Sequence, residues 1–368
     1  GEPVLRTTIA ALAGKAARRA ARIRGGGSGG SALPGLVAEK VDPGFLAHAL
    51  ADVPGGIVVV SGTNGKTTTT KMLVAVLRAH GRTVFTNPTG SNFTRGVISS
   101  LLAEMPLRGG LKADIAVLEL DEAHALHFAR AVAPTHALLL NVARDQLDRF
   151  AEIDHTAGLL TQLAGMTTQG VVLNRDDPFV NRIATTVSGL DIAWFGLDAS
   201  IADRLGELQE HDARGHETYT PPPVGPHDAL LQPVDEHELS VLFGEQGEGG
   251  RVGPVSLRQR GLAAMINATA ATATARALLG DDFRTDAAEQ LMDAHLFAAI
   301  LGMVEGVPEA ELVAPAAGEA DGALALADLR GAALGTRVDP MEVETDGDPL
   351  EMHLRWREHG LVLAVHGG

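Results

Sequence analysis

The stretch Gly62–Thr68, which reads Gly-Thr-Asn-Gly-Lys-Thr-Thr, constrains this chain more than any other sequence feature. It directly follows the β-branched run Ile57–Val60, which is typical of a strand buried on both faces. The segment Met72–Leu77 that comes next has helical length. A glycine-rich turn between a buried strand and a helix points backbone N–H groups at phosphate. Lys66 adds a point charge and the Thr67 hydroxyl can reach Mg²⁺, so the sequence predicts a nucleotide-binding site.

The spacing of this loop is shorter than that of the commonest phosphate-binding loop, because two residues instead of four separate its glycines. The alternative is an ordinary strand-to-helix turn. Such a turn would need neither both glycines nor Lys66, so the nucleotide-binding interpretation is favoured.

Composition excludes several classes of function. The 368 residues include 30 Lys and Arg against 46 Asp and Glu, a net charge of −16. Nucleic-acid-binding surfaces are basic, so no nucleic-acid partner is expected. The absence of cysteine excludes disulfides, thiol catalysis and cysteine-ligated zinc, and no zinc is expected. No apolar run has the length of a membrane span and no secretory signal is evident, which predicts a cytoplasmic protein.

Strand-like and helix-like segments alternate from Gly56 to about Phe195, which predicts an α/β fold with a doubly wound, mainly parallel sheet. The predicted strands are Ile57–Val60, Thr83–Thr86, Ile115–Leu120, Ala137–Leu140, Val171–Leu173 and Ile192–Phe195. Ligands are expected at the carboxyl ends of these strands.

Three domains are predicted. Residues 1–55 form a short helical segment with a basic helix and a Gly-rich linker, 56–280 a nucleotide-binding middle domain, and 281–368 a small divergent C-terminal domain. Within the middle domain, 203–256 is predicted to be a polar, irregular insertion with a little strand, such as Leu239–Phe243. Alternating apolar residues in the last domain predict a hairpin that ends with Leu361–Val365.

Residues 5–24 have the pattern of a basic amphipathic helix. The basic face carries Lys15, Arg18, Arg19 and Arg22. The apolar face carries Ile9, Leu12, Ala16, Ala20 and Ile23. A helix of this kind can make a peripheral contact with anionic lipid, or it can pack on the next domain. The sequence favours neither alternative.

Polar residues follow the predicted strands at the edge where ligands bind. Glu119 can hold Mg²⁺ together with Thr67, although acids at this position also suit a helix N-terminus. Thr89–Asn92 is either a loop that faces nucleotide or substrate, or a simple turn. The charged stretch Asn141–Phe150 either binds a ligand or forms a structural Arg–Asp network.

The phosphate loop and four further stretches resemble the Mur ligase superfamily, and within it the MurT family most. The four stretches are Thr89–Asn92, Glu119–Ala123, Arg144–Phe150 and Asn174–Pro178. The resemblance covers about residues 5–212 and resumes weakly at 257–279.

This resemblance implies a Mur-ligase-like ATPase domain and a carbon–nitrogen ligase subunit of peptidoglycan biosynthesis that uses ATP and Mg²⁺. The α-carboxylate of D-glutamate in the lipid II stem peptide would be activated as an acyl phosphate and amidated by ammonia. The implied partner is a GatD-like glutamine amidotransferase, in a heterodimer. The implied location is cytoplasmic, with the inner face of the plasma membrane as an option.

The resemblance also assigns residues to roles. Those assigned to the nucleotide are Gly62, Thr63, Asn64, Gly65, Lys66, Thr67, Thr68 and Asn267. Those assigned to catalysis are Lys66, Glu119 and Asp145, and those assigned to the metal are Thr67 and Glu119. Those assigned to the substrate are Ser91, Asn92, Arg144 and Arg149.

The chain departs from the family pattern in four places. Ala264 replaces the first asparagine of an Asn-x-x-Asn motif that ends at Asn267, and the four cysteines of a zinc ribbon are missing. No lysine follows Lys112, and 281–368 match no family motif. Two other functions therefore stay open: a catalytically impaired, nucleotide-binding regulatory or scaffold subunit of a glutaminase, and a Mur-type ligase that adds an amino acid.

Overall fold

The computed structural model describes residues 2–23, 32–87, 94–106, 110–142, 150–199, 201, 222–235, 238–257, 261–289, 310–314, 322–324, 343–344, 351–356 and 359–365. The chain divides into two compact units, Gly1–Glu289 and Gln290–Gly368. The partition into three domains stays a prediction.

The first unit opens with three helices and continues with alternating strands and helices. The opening helices are α1 (Glu2–Ile23), α2 (Ala32–Val41) and α3 (Phe45–Leu50). The alternating part consists of β1 (Ile57–Ser61), α4 (Lys66–Ala79), β2 (Val84–Thr86), α5 (Thr94–Glu104), β3 (Ile115–Glu119), α6 (Glu122–Ala131), β4 (His136–Leu139), α7 (Phe150–Met166), β5 (Gly170–Asn174), α8 (Pro178–Arg182) and β6 (Asp191–Leu197). The unit closes with β7 (Ala229–Pro233), β8 (Glu238–Phe243), β9 (Arg251–Ser256), α9 (Leu262–Leu279) and α10 (Thr285–Ala288).

Nine of the described strands form one sheet in the order β2-β3-β1-β4-β5-β6-β7-β8-β9. The pairs from β2 through β7 are parallel, and the last two pairs are antiparallel. From β1 the sheet grows to one side as β3 and β2, and to the other side from β4 onward. This reversal places a ligand crevice at the carboxyl ends of β1, β3 and β4. The predicted doubly wound α/β fold is confirmed.

The predicted strand Leu239–Phe243 is confirmed as β8, but the irregular structure predicted around it is wrong, because β7, β8 and β9 extend the sheet as a meander. Their apolar side chains are buried, as at Leu231, Val241 and Val252. The Gly- and Glu-rich stretch that suggested irregularity is the turn between β8 and β9, closed by a 2.9 Å bond from the Phe243 N–H to the Gly250 carbonyl. Residues 203–221 lie outside the described residues.

The opening helices share one hydrophobic core with the sheet. Ala10, Ala38 and Phe45 belong to the same buried cluster as Val59 of β1 and Leu118 of β3. Both β1 and β3 are buried along their whole length, which explains their continuous apolar sequence.

The predicted apolar face of α1 is not the face that packs. Thr7, Ala10 and Ala11 are buried, whereas Ile9 and Leu12 are 48% and 45% exposed. Small residues decide this orientation because they let the helix approach its neighbours closely. The helix therefore packs on its neighbours through the face opposite to the predicted one, and its contact with lipid stays a prediction.

The long helix α9 packs against α4 and against β5, β6 and β7. Within the described part of the chain, the segment Leu262–Asp282 is the one helix whose length and hydropathy would allow a membrane crossing. This signal is weak, since 61% of the segment is buried inside the protein and core helices have the same composition.

The second unit contains five described strands in the order β11-β10-β14-β13-β12. They are β10 (Ala310–Ala314), β11 (Gly322–Leu324), β12 (Val343–Glu344), β13 (Glu351–Trp356) and β14 (His359–Val365), and all pairs are antiparallel. Trp356 pairs with His359, so the predicted hairpin is confirmed.

Candidate functional site

The phosphate loop connects the carboxyl end of β1 to the N-terminus of α4. Gly65 is the N-cap of α4, where φ is 86°, and no side chain caps the helix. The first turn contains no acidic residue. The N-terminal N–H groups and the positive end of the helix dipole are therefore left for an anion, which is the arrangement that binds phosphate.

Two glycines of the loop are required by their surroundings. A Cβ on Gly62, where φ is 136°, would lie 3.0 Å from the Asn141 backbone nitrogen. A Cβ on Gly65 would lie 2.4 Å from Oδ1 of Asn267 on α9. Both residues also have a positive φ, which disfavours any side chain. The structure thus places Asn267 against the phosphate loop, while its contact with the nucleotide stays a prediction.

Lys66 lies at the start of α4 with its ammonium group turned toward the loop. Nζ donates a 2.6 Å hydrogen bond to the Gly62 carbonyl and lies 3.3 Å from Oδ1 of Asp121. The Lys66 side chain is only 14% exposed, so its charge is held at the loop rather than in bulk solvent. Asp121, the second residue after the end of β3, thus places an acid beside Lys66.

Thr67 and Glu119 meet across the crevice. The Thr67 hydroxyl donates a 2.6 Å hydrogen bond to Oε1 of Glu119, a residue that is 6% exposed. A hydroxyl and a carboxylate are hard oxygen ligands of the kind that Mg²⁺ prefers. No group of three or more His, Cys, Asp or Glu residues that could hold a metal occurs in the described ranges. The donor set therefore fits a metal whose remaining ligands are phosphate oxygens and water, as in nucleotide sites.

Asn87 fixes the position of Glu119. Its Nδ2 donates to the Glu119 carbonyl at 2.8 Å, and its Oδ1 accepts from the Glu119 N–H at 2.9 Å. Asn87 is buried directly after β2, the neighbour of β3. It holds the backbone from which the carboxylate projects toward Thr67.

Asn141 joins the phosphate loop to the segment after β4. Oδ1 accepts from the Asn64 N–H and Nδ2 donates to the Asn64 carbonyl, both at 2.9 Å. The Asn141 carbonyl also accepts from the Thr63 N–H at 3.0 Å. These three bonds fix the loop to the edge of β4.

The segment after β5 supports the end of β4. Asp177 accepts the Val142 N–H at 2.8 Å through one oxygen, and caps α8 through the other by accepting from Phe179 and Val180. Burial raises the pKa of Asp177, and the three N–H donors oppose that rise. Asn174 donates to the Leu140 carbonyl at 2.9 Å. The end of β4 is thus held from both sides.

Sequence reasoning placed the stretches that begin at Asn87 and Asn141 at the ligand edge, but it gave Asn87, Asn141 and Asp177 no individual role. A signal existed, because asparagine directly follows β2, is the second residue after β4 and ends β5, at the edge where the ligand crevice lies. Of the predicted site residues, the structure brings together the loop, Glu119 and Asn267. The predicted residues Ser91, Asn92, Arg144, Asp145 and Arg149 lie outside the described residues.

Known proteins have a similar sequence. The chain is 35% identical over 185 residues to the MurT subunit of lipid II isoglutaminyl synthase (glutamine-hydrolyzing) of Staphylococcus aureus (strain COL), covering 50% of this chain and 40% of that protein. It is 36% identical over 195 residues to the corresponding subunit of Streptococcus pneumoniae (strain ATCC BAA-255 / R6), covering 53% and 41%. The chain thus spans about two fifths of the length of these curated relatives.

The fold also has solved counterparts. A crystal structure of MurF from Acinetobacter baumannii matches with a TM-score of 0.50 at 18% identity, covering 71% of this chain and 49% of that one. This likeness concerns the fold alone. The family model of the Mur ligase middle domain matches residues 60–275, from the end of β1 into α9. Because that match covers more than half of the chain and contains the whole phosphate loop, the chain belongs to the Mur ligase family.

Proposed function

We propose that the chain is the ATP-dependent subunit of a lipid II isoglutaminyl synthase of the MurT type. The observation that carries the proposal is the pairing of Thr67 with the buried Glu119 at 2.6 Å, beside Lys66 and an uncapped helix N-terminus. The similarity to two MurT subunits supports the choice of reaction.

Lys66 and the first N–H groups of α4 would bind the β- and γ-phosphates of ATP, while Thr67 and Glu119 would hold Mg²⁺. Bound MgATP would supply a phosphoryl group that turns the D-glutamate α-carboxylate into an acyl phosphate, which ammonia converts into the amide as phosphate leaves. The work of the chain would be positioning and charge neutralisation. Asn87 would hold Glu119 in position during that step, and Asn141 would hold the phosphate loop.

The partner in this proposal is a GatD-like glutaminase that supplies ammonia from glutamine, and the acceptor is lipid II at the cytoplasmic face of the membrane. Asp145 would act in catalysis, and Ser91, Asn92, Arg144 and Arg149 would contact the acceptor. These assignments rest on the resemblance of their motifs.

The test is amidation of lipid II by the full chain, read by mass spectrometry, with ATP, Mg²⁺, glutamine and a GatD-like glutaminase. A second arm replaces glutamine and the glutaminase with ammonium chloride. Lys66→Ala should lower the rate on the order of 100-fold or more, because it removes a charge aimed at the phosphates. Lys71→Ala is the matched control, since Lys71 is an exposed lysine on the same helix.

A second function is favoured by one observation: the family match ends at residue 275 and leaves the second unit unmatched. The chain could then bind nucleotide and regulate a glutaminase without turnover. Absence of amide in both arms, with ATP binding that depends on Lys66, would reject the enzyme and support this regulator.

A further inference from the structure

Helix α1 presents an apolar stripe that the fold does not use. Ile9 and Leu12 are 48% and 45% exposed, and Ala16 on the same face is exposed too. These positions are three and four residues apart, so they lie one above another on one side of the helix. In the described part of the chain, the other exposed large hydrophobic side chains lie outside α1, at Val41, Ile192 and Val234.

The opposite face of α1 fixes this orientation. Ala10 and Ala11 are buried, and a Cβ on Gly14 would come within 2.6 Å of the Leu102 side chain on α5. Lys15 donates a hydrogen bond to the Met105 carbonyl just after α5. The helix cannot rotate to bury Ile9 without losing this close contact, so the stripe faces outward in the folded first unit.

The charge of α1 is opposite to that of the chain. The helix contains five basic residues and one acidic residue, a net charge of +4, whereas the whole chain carries −16. At 100° per residue, Arg6 and Arg19 flank the stripe of Ile9 and Leu12 on its two sides, and both arginines are exposed. An acidic protein would approach an anionic surface only through such a basic element.

We propose that α1 docks on an anionic phospholipid bilayer. Ile9 and Leu12 enter the boundary between headgroups and acyl chains, and Arg6 and Arg19 contact the anionic headgroups. Amphipathic helices with an apolar stripe between basic residues bind in this way. The inference is independent of the proposed reaction, because it uses no residue of the nucleotide site.

The experiment is co-sedimentation of the full chain with vesicles of pure phosphatidylcholine or of phosphatidylcholine with phosphatidylglycerol. We expect binding to the anionic vesicles that weakens as salt rises. The double variant Ile9→Glu, Leu12→Glu should lower that binding at least about tenfold, since it places charges in the apolar interface. Val234→Glu is the matched control, because Val234 is 54% exposed on another part of the first unit.

The variants Arg6→Gln and Arg19→Gln test the charge separately, and each should lower binding to anionic vesicles roughly fivefold. They remain informative even where the double variant fails to fold. The proposal is overturned if the wild-type protein does not bind anionic vesicles at low salt. It is equally overturned if Val234→Glu and the stripe variant lose vesicle binding to the same extent. It is also overturned by a dimer that the stripe variant dissociates while vesicle binding is unchanged.

Discussion

Replacing Gly65 with alanine tests whether Asn267 packs directly against the phosphate loop. Gly65 has a φ of 86°, and a Cβ there would lie 2.4 Å from Asn267 Oδ1 and 3.1 Å from its Cγ. An alanine in the left-handed region costs about 1–2 kcal/mol in the free energy of unfolding. Displacing the Asn267 side chain adds a cost of about 1–3 kcal/mol, as in other overpacked sites.

Gly81 provides the matched control at the other end of the same helix. Its φ is 76°, but a Cβ there would meet nothing within 4 Å. Gly81→Ala should therefore lower the free energy of unfolding by the backbone cost alone, about 1–2 kcal/mol. The difference between the two variants isolates the contact with Asn267.

The assay is urea unfolding followed by circular dichroism, combined with a double-mutant cycle between Gly65→Ala and Asn267→Ala. We expect Asn267→Ala to remove the extra loss at Gly65 and to leave the Gly81 loss unchanged. Equal stabilities of Gly65→Ala and Gly81→Ala, or no coupling to Asn267, would refute the packing described here.

Three further predictions concern residues at the two ends of the parallel strands. Asp177→Ala should lower the free energy of unfolding by about 1–3 kcal/mol, because it leaves the Val142 N–H without its acceptor and uncaps α8; an unchanged urea midpoint would contradict this. Asn87→Ala should cost about 1–3 kcal/mol in the same assay and also weaken MgATP binding, since Glu119 loses both backbone partners; normal binding would contradict a positioning role. Burial lowers the pKa of His136, and Asp191 opposes this shift, so the folded state favours the neutral imidazole. The contribution of this preference to the free energy of unfolding is complete above the ordinary pKa of 6.5 and is lost as pH falls through the folded-state pKa. Thermal unfolding of His136→Gln should therefore depend less on pH below 6.5 than that of the wild type, and parallel curves would contradict the shift.

The parallel part of the fold could be predicted because its strands are short apolar runs with glycine, asparagine or aspartate within two residues after them. Ile57–Val60 and Ile115–Leu118 are buried on both faces, so no polar residue interrupts them, and the one buried acid of β3, Glu119, stands at its carboxyl end. Of the antiparallel edge only β8 was predicted, and β9 was missed because the turn residues Gly244–Gly250 dominate the composition around it. A short strand is hidden when the polar turn beside it is as long as the strand.

The site could be predicted only where a single segment carries the chemistry. Lys66, Thr67 and Glu119 follow from their positions after buried strands. The roles of Asn87 and Asn141 depend on which strands are neighbours, and the order β2-β3-β1-β4 is not readable from the chain alone. The orientation of α1 was likewise hidden, because alanine and glycine give a weaker periodic signal than Ile9 and Leu12, yet only small residues permit the close contact with α5.

The central claim is that Thr67 and Glu119 bind the metal of a nucleotide held by Lys66. Its most direct test is the equilibrium affinity for ATP, measured by calorimetry with and without Mg²⁺. We predict that Mg²⁺ strengthens ATP binding in the wild type. Glu119→Gln should weaken ATP binding about tenfold in the presence of Mg²⁺ and leave binding without Mg²⁺ unchanged. Lys66→Ala should weaken binding under both conditions. Full Mg²⁺ enhancement in Glu119→Gln, or unchanged affinity in Lys66→Ala, would contradict the account.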